Sequence, residues 1–219
     1  MKIFLDTADI EAIRAWAPYG IIDGVTTNPT HLAHAGGNPI KRVQEICDAL
    51  PGAFISVEVT EVTPEKVLAQ AHAIAKIHAS VVVKVPGALE YYGVIKELVA
   101  DGIAVNVTLI FGLMQSIAMA KLGVRFISPF LGRLEDNGEN PALFIEAVCD
   151  AFKHYAFKTE ILAASLRNAD HVLMAVCAGV DVITVSPALL HELLTHELTA
   201  DGMQKFNADW KKLKVARFP

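Results

Sequence analysis

Lys84 lies in an apolar, β-branched segment, Ser80-Val81-Val82-Val83-Lys84-Val85-Pro86, which is typical of a buried strand. Burial disfavours a charged ammonium group and favours the neutral amine, which is a nucleophile. A lysine in such a position can form a Schiff base with a carbonyl substrate. The segment also fits a structural lysine that pairs with a buried carboxylate or extends its amine to the surface. The strand alone leaves both interpretations open.

Polar side chains stand near the C-terminal ends of the other strand-like segments, where a covered parallel sheet is otherwise apolar. They are Asp6, Thr26, Asn28, Glu58, Asn106, Thr108, Ser128, Arg133, Ser165 and Arg167. In a barrel of parallel strands they converge with Lys84 on one pocket. The carboxyl, amide and hydroxyl groups then supply acid–base and hydrogen-bonding chemistry, and the two arginines form a cationic clamp suited to a phosphate.

Each of these residues has a structural alternative when it is taken singly. Asp6 can cap the following helix, and Asn28, which precedes Pro29, can shape a turn. Glu58 can form an ion pair with Lys84, and the arginines can lie on the surface. Together these alternatives require many independent coincidences at one end of the barrel, so we expect a site there.

The elements that must position these residues alternate eightfold along the chain. Strand-like segments are predicted at 2–7, 24–28, 53–60, 80–86, 103–110, 125–132, 159–167 and 180–187. Helical patterns are predicted at 9–16, 39–50, 64–77, 88–101, 112–122, 140–156, 168–178 and 188–194. This alternation predicts an α/β fold, a (βα)8 TIM barrel in one domain over 1–219, with an extra C-terminal helix at about 201–214. A doubly wound open sheet is the alternative, but no Gly-x-Gly-x-x-Gly follows any strand.

Composition excludes several classes of partner. The 219 residues carry a net charge of −5 with no basic stripe, so no nucleic acid partner is expected. No apolar run is long enough to span a bilayer, and the N-terminus does not resemble a signal peptide. Cys47, Cys149 and Cys177 fit reduced core thiols of a cytoplasmic protein. His31 and His34 lack a third ligand, so no metal site is expected.

The chain resembles transaldolases, specifically the small single-domain type related to fructose-6-phosphate aldolase. The resemblance extends over essentially the whole chain, and the Thr-Thr-Asn-Pro and Ser-Pro-Phe-x-Gly-Arg motifs are its most specific parts. The matching segments are Phe4-Leu5-Asp6-Thr7, Gly24-Val25-Thr26-Thr27-Asn28-Pro29, Val57-Glu58-Val59, Val83-Lys84-Val85-Pro86, Asn106-Val107-Thr108-Leu109, Ile127-Ser128-Pro129-Phe130-Leu131-Gly132-Arg133 and Ala164-Ser165-Leu166-Arg167-Asn168. The resemblance implies a class I aldolase-like barrel.

The resemblance also implies a role for each residue. Lys84 resembles the Schiff-base lysine, and Asp6 the carboxylate that handles the substrate hydroxyl proton when the C3–C4 bond breaks. Glu58 and Thr108 resemble the pair that holds a proton-shuttling water. The residues that resemble binders of the substrate hydroxyls are Thr26, Asn28, Asn106 and Ser128, and those that match the phosphate site are Arg133, Ser165 and Arg167.

Two positions separate the close relatives. Transaldolases carry Glu and Phe where this chain has Glu58 and Phe130, whereas fructose-6-phosphate aldolases carry Gln and Tyr. The resemblance therefore implies transfer of dihydroxyacetone between sugar phosphates, with no metal or dissociable cofactor. It also implies a homo-oligomer, a ring-based decamer or pentamer. An aldolase that releases free dihydroxyacetone and a non-catalytic sugar-phosphate-binding barrel remain the alternatives.

Overall fold

In the computed structural model, which describes residues 1–213, eight parallel strands close into a barrel in chain order. The strands are β1 (Lys2–Asp6), β2 (Gly24–Thr26), β3 (Phe54–Glu58), β4 (Val81–Pro86), β5 (Val105–Ile110), β6 (Phe126–Pro129), β7 (Glu160–Ala163) and β8 (Val182–Val185). The predicted (βα)8 TIM barrel is thus confirmed, and the open sheet is excluded because β1 pairs with β8.

Helices follow every strand and pack around the barrel. They are α1 (Ile10–Trp16), α2 (Pro29–Ala35), α3 (Pro39–Ala49), α4 (Pro64–Ala75), α5 (Tyr92–Ala100), α6 (Leu113–Leu122), α7 (Leu131–Asp136), α8 (Pro141–His154), α9 (Ala169–Ala178), α10 (Pro187–Leu194) and α11 (Glu197–Lys212). Short 3-10 turns precede α5 and follow α1. The sequence patterns predicted neither α2 nor α7. The C-terminal helix begins at Glu197 rather than near residue 201, and Lys214 lies outside the described residues.

Local side-chain chemistry fixes several helix ends. Asp9 caps α1, as predicted, by accepting hydrogen bonds from the N–H groups of Glu11 and Ala12. Thr63 occupies the predicted N-cap position of α4, but its side chain makes no capping hydrogen bond, and Pro64 begins the helix instead. Gly123 and Gly179 end α6 and α9 in left-handed backbone conformations, with φ of 80° and 89°.

Alternation along the strands divides the interior into two apolar layers. Odd-numbered strand residues such as Leu5, Val83 and Ile127 face the surrounding helices and belong to the larger cluster. Even-numbered residues face the barrel axis, where Phe4, Val82, Phe126, Leu162, Ala164 and Val182 form a second, smaller cluster. The predicted site residues on the strands also have even numbers, so the same alternation directs them into the barrel.

Three aromatic rings pack together inside the barrel, toward the N-terminal ends of the strands. The ring centroids of Phe4 and Phe54 lie 6.2 Å apart, and Phe126 packs edge-on against both rings. Gly24 lies between Phe4 and Phe54 in the strand register. A Cβ there would lie 2.6 Å from the Phe4 ring, so the missing side chain makes room for the aromatic packing. The polar site residues lie nearer the opposite end of the barrel, where the strands have their C-terminal ends.

The cysteines differ in their environments more than the sequence suggested. Cys47 is buried and Cys149 is half-buried, but Cys177 is exposed on α9, so its assignment to the core was wrong. The pKa of both Cys47 and Cys149 is raised to about 11, mainly by burial. The negative charges of Asp48 and Asp181 also contribute to this rise, for Cys47 and Cys149 respectively. Within residues 1–213, no helix is long and apolar enough to cross a membrane.

Candidate active site

Lys84 lies on β4 with only 4% of its surface exposed. Its Nζ is 3.0 Å from Glu58 Oε2 on the neighbouring strand and donates a hydrogen bond to the Thr27 carbonyl oxygen at 3.1 Å. The predicted burial of Lys84 is therefore confirmed, and its ammonium has a carboxylate partner. Glu58 is within reach to accept a proton from the amine and return it, which a nucleophilic lysine requires.

A group of hydrogen-bonded polar side chains lies beside Lys84 in the barrel. The register places Asn106 beside Lys84, on the side opposite Glu58. The Asn106 amide donates to Ser56 Oγ at 3.1 Å, and its oxygen accepts from Ser128 Oγ at 2.8 Å. All three side chains are buried, so these bonds satisfy polar atoms that would otherwise be costly to bury.

Asp6 does not cap a helix but faces the barrel interior. Its Oδ1 accepts a hydrogen bond from Thr26 Oγ1 at 2.7 Å, and Thr26 Oγ1 is also 2.7 Å from Thr184 Oγ1. His31 Nδ1, on the first turn of α2, lies 3.7 Å from the same carboxylate oxygen, beyond hydrogen-bond range. Asn28 caps α2 through the His31 N–H at 2.8 Å.

Thr108 lies on β5 where the strand becomes irregular. The pairing with β6 shifts between Val107 and Ile110, and Leu109 has a φ of 56°. Such backbone strain is concentrated at functional sites. Thr108 Oγ1 is buried and has no hydrogen-bond partner among the described residues. A buried hydroxyl of this kind suits a bound water or a substrate group.

A cavity of about 150 Å³ opens beside Lys84 at the C-terminal end of the barrel. Its lining residues are Asp6, Thr26, Asn28, Lys84, Ser128, Phe130, Arg133, Ala164, Ser165 and Thr184. The structure thus brings eight of the predicted site residues to one cavity. The other four are neighbours of these residues. Glu58 and Asn106 flank Lys84 in the strand register, and Thr108 pairs with Pro86 on the strand that carries Lys84. Arg167 follows Ser165 by two residues in the chain.

Phe130 and Arg133 form one wall of this cavity. The Arg133 guanidinium stacks over the Phe130 ring at 5.2 Å, which leaves its N–H groups available to an anion. The Phe130 ring also makes an edge-to-face contact with Phe111, with centroids 6.0 Å apart. The wall therefore offers a cation and a ring without a titratable proton.

Arg167 is held beside the cavity by a carboxylate. Its guanidinium forms a bidentate ion pair with Asp136, which lowers the pKa of Asp136. Arg167 Nε and Ser165 Oγ both lie within 3.2 Å of the position that a Cβ on Gly132 would occupy. Arg133 lines the cavity, whereas Arg167 does not and already has an acidic partner. Both arginines are exposed, so their joint action as a phosphate clamp stays a prediction.

Sequence reasoning missed several residues that shape this site. Ser56 and Thr184 follow the even-number rule of the strands and could have been found from it. Asp136 lies on α7, which the patterns did not reveal. In the part of the chain that the structure describes, no group of three or more His, Cys, Asp or Glu side chains could hold a metal ion. The side chains in and beside the cavity are an amine, two carboxylates, a guanidinium group and hydrogen-bonding groups.

Comparison with known proteins gives a consistent result. The family model described as transaldolase/fructose-6-phosphate aldolase matches residues 3–216. A probable transaldolase from Parvibaculum lavamentivorans is 45% identical over 213 residues, which cover 97% of each chain. One from Herpetosiphon aurantiacus is 42% identical, covering 99% of this chain and 97% of its own, and one from Dehalococcoides mccartyi is 40% identical, covering 98% and 100%. The chain therefore belongs to the transaldolase/fructose-6-phosphate aldolase family.

Proposed function

We propose that the protein is a transaldolase that carries a dihydroxyacetone unit on Lys84 in the pentose phosphate pathway. The donor is fructose 6-phosphate or sedoheptulose 7-phosphate, and the acceptor is erythrose 4-phosphate or glyceraldehyde 3-phosphate. The observation that carries this proposal is the buried Lys84 amine, 3.0 Å from Glu58 and lining a cavity with Asp6. The names of the relatives point in the same direction.

Imine formation begins at the C2 carbonyl of the ketose. Glu58 accepts a proton from Lys84, and the neutral amine attacks C2 to give a carbinolamine. Loss of the C2 oxygen as water leaves a protonated imine between Lys84 and the substrate. The unpartnered hydroxyl of Thr108 supports a role with Glu58 in holding the water that carries these protons. No metal or dissociable cofactor is needed for this step.

Cleavage then uses Asp6 as the base. Asp6 removes the proton of the C4 hydroxyl, the C3–C4 bond breaks, and its electron pair moves into the protonated imine to form an enamine. Thr26 orients Asp6 through the 2.7 Å hydrogen bond. Asn28, Asn106 and Ser128 supply donors and acceptors for the substrate hydroxyls, and the substrate phosphate binds between Arg133, Ser165 and Arg167.

Transfer rather than release follows from Phe130. Protonation of the enamine carbon would lead to free dihydroxyacetone, and the Phe130 ring has no proton to give. The enamine therefore persists until an acceptor aldehyde enters, and cleavage runs in reverse. A fructose-6-phosphate aldolase is the second candidate, because the family includes both activities. It requires another proton donor at the enamine.

Borohydride reduction tests the proposed intermediate. With fructose 6-phosphate, the intact mass should rise by one reduced dihydroxyacetone unit, and peptide mapping should place it on Lys84. Lys84→Ala should abolish the adduct, whereas Lys66→Ala, which removes an exposed lysine of α4, should retain it. A persistent adduct in Lys84→Ala would remove the lysine from this role.

A further inference from the structure

His171 is a buried histidine of α9 whose two ring nitrogens are both engaged. The Arg167 backbone N–H donates to Nδ1 at 3.3 Å, and Nε2 lies 2.9 Å from Glu135 Oε2. Because Nδ1 accepts a hydrogen bond, the proton of the neutral ring must lie on Nε2, which donates to Glu135. Only 2% of the residue is exposed, so the ring is fixed in this orientation.

These bonds connect the two segments that carry the proposed phosphate site, which are helix α7 and the loop before α9. Glu135 and Asp136 are consecutive residues of α7, the helix that contains Arg133. Asp136 holds the guanidinium of Arg167, while Glu135 acts through His171 on its backbone. Residues of α7 therefore hold the guanidinium of Arg167 directly and its backbone through His171.

The segment before Arg167 needs such support. Ser165 has a φ of 59°, a left-handed conformation that costs a non-glycine residue of order 1 kcal/mol or more. The Ser165 carbonyl oxygen accepts from Gly132 N–H at 3.1 Å, which ties the strained residue to the start of α7. Two bonds around Ser165 and Arg167 thus hold the backbone in a shape that exposes Ser165 to the cavity.

We propose that His171 is a positioning residue of the phosphate site, with Glu135 as the group that orients it. The neutral His171 ring fixes the backbone of Arg167 and so sets the distance between Ser165, Arg167 and Arg133. This inference rests on the proposed function only in assigning a phosphate to those three residues. It predicts that His171 and Glu135 govern the binding of phosphorylated substrates without touching them.

Pairs of variants separate the two contacts of His171. In His171→Asn the side-chain oxygen lies near the position of Nδ1 and can still accept from Arg167, whereas His171→Gln can reach Glu135 but loses that acceptor. Glu135 is exposed, so Glu135→Ala removes its carboxylate without a change in the core, and Glu135→Gln restores an acceptor for Nε2. The Glu135 pair keeps the test valid if His171→Gln fails to fold.

The probe is inorganic phosphate, measured by titration calorimetry and as an inhibitor of turnover. We expect about a fivefold to tenfold weaker phosphate affinity for His171→Gln and Glu135→Ala, as the loss of one hydrogen bond implies. Glu135→Gln should largely recover it. His171→Asn, which keeps the acceptor for Arg167 but loses the Glu135 contact, should bind phosphate more tightly than His171→Gln. The KM for fructose 6-phosphate should rise with kcat retained, and borohydride trapping with unphosphorylated dihydroxyacetone should be unchanged.

Arg133→Ala distinguishes the phosphate site itself from the positioning role of His171. If it weakens phosphate binding while His171→Gln and Glu135→Ala bind as the wild type does, the positioning role is wrong and the phosphate site stands. If the wild-type protein binds no phosphate, both the site and the positioning role are overturned. Equal losses for phosphate and for dihydroxyacetone trapping would show a general structural role and would also overturn the inference.

Discussion

At the scale of single residues, the chemistry depends on how burial constrains charge. The two interpretations of Lys84 that the sequence left open describe parts of one arrangement. Lys84 does pair with a carboxylate, as a structural lysine would, yet that carboxylate is placed to exchange the proton that controls nucleophilicity. Because Lys84 is buried, loss of Glu58 would leave the charge of the lysine uncompensated inside the barrel.

Phe130 should decide whether the enamine is transferred or released. Phe130→Tyr places a hydroxyl in the cavity that Lys84 lines, and we expect it to protonate the enamine and release free dihydroxyacetone. Product analysis without an acceptor measures this release. Phe111→Tyr is the matched control, because Phe111 contacts the Phe130 ring but does not line the cavity. Equal release by both variants would contradict a specific role of Phe130.

The three cysteines should differ in reactivity. With a pKa of about 11, only about a thousandth of Cys47 or Cys149 is thiolate at pH 8, and burial further restricts access. Iodoacetamide should therefore modify the folded protein once, at the exposed Cys177, as read from the intact mass. Unfolded protein should show three modifications. Rapid modification of Cys47 in the folded state would contradict the assigned burial.

At the scale of elements, sequence patterns revealed those that bury an apolar face. The strands and most of the long helices do so, and all eight strands were found. The exception is α11, which was predicted from its amphipathic pattern although it buries none of its residues. The two missed helices lack a sustained pattern. α2 (Pro29–Ala35) buries none of its residues, and α7 (Leu131–Asp136) buries Leu131 and Leu134 but spans only six residues directly after a strand. Strand β7 ends at Ala163, well before the predicted end at 167, because Ser165 leaves the extended conformation.

Gly132 links two of these elements at a close approach. A Cβ there would lie 2.2 Å from the Ser165 carbonyl oxygen, so Gly132→Ala must displace the loop. We expect a loss of roughly 1–3 kcal/mol in unfolding free energy, as for other overpacked sites, together with weaker binding of phosphorylated substrates. Denaturant unfolding measures the first effect and KM the second.

Gly93→Ala serves as the control for this substitution. Gly93 lies in α5 with open space around its Cβ position, so alanine should stabilise the helix by about 0.5–1 kcal/mol. If Gly132→Ala were as stable as Gly93→Ala, the close approach would not constrain the loop.

At the scale of the whole molecule, barrel closure explains why the site could be predicted. Parallel strands bring their C-terminal ends to one face, so the polar strand ends at Asp6, Glu58 and Lys84 met as expected. The ion pair between Arg167 and Asp136 and the His171 contacts could not be predicted. They join α7 to α9 and to the loop before α9, and only the folded chain brings these segments together. The role of each residue was implied by the resemblance rather than by the geometry.

The exposed apolar face of α11 supports the predicted homo-oligomer. Leu198, Met203 and Phe206 are between 61% and 73% exposed on this helix. A group of exposed apolar side chains on one helix is typical of a surface that contacts another protein. We expect light scattering to show a decamer or pentamer. Phe206→Glu should lower the mass of the assembly, because it would bury a charge at the interface between subunits. Lys205→Glu, on the same helix, should leave the mass unchanged. A monomeric wild-type protein would contradict this prediction. The cytoplasmic location of the protein also stays a prediction.

The most direct test of the account is the release of glyceraldehyde 3-phosphate from fructose 6-phosphate, with and without erythrose 4-phosphate. A transaldolase that holds its dihydroxyacetone unit on Lys84 should release at most one equivalent without the acceptor and turn over continuously with it. Multiple turnovers without erythrose 4-phosphate would contradict transfer and show that the enamine is protonated despite Phe130.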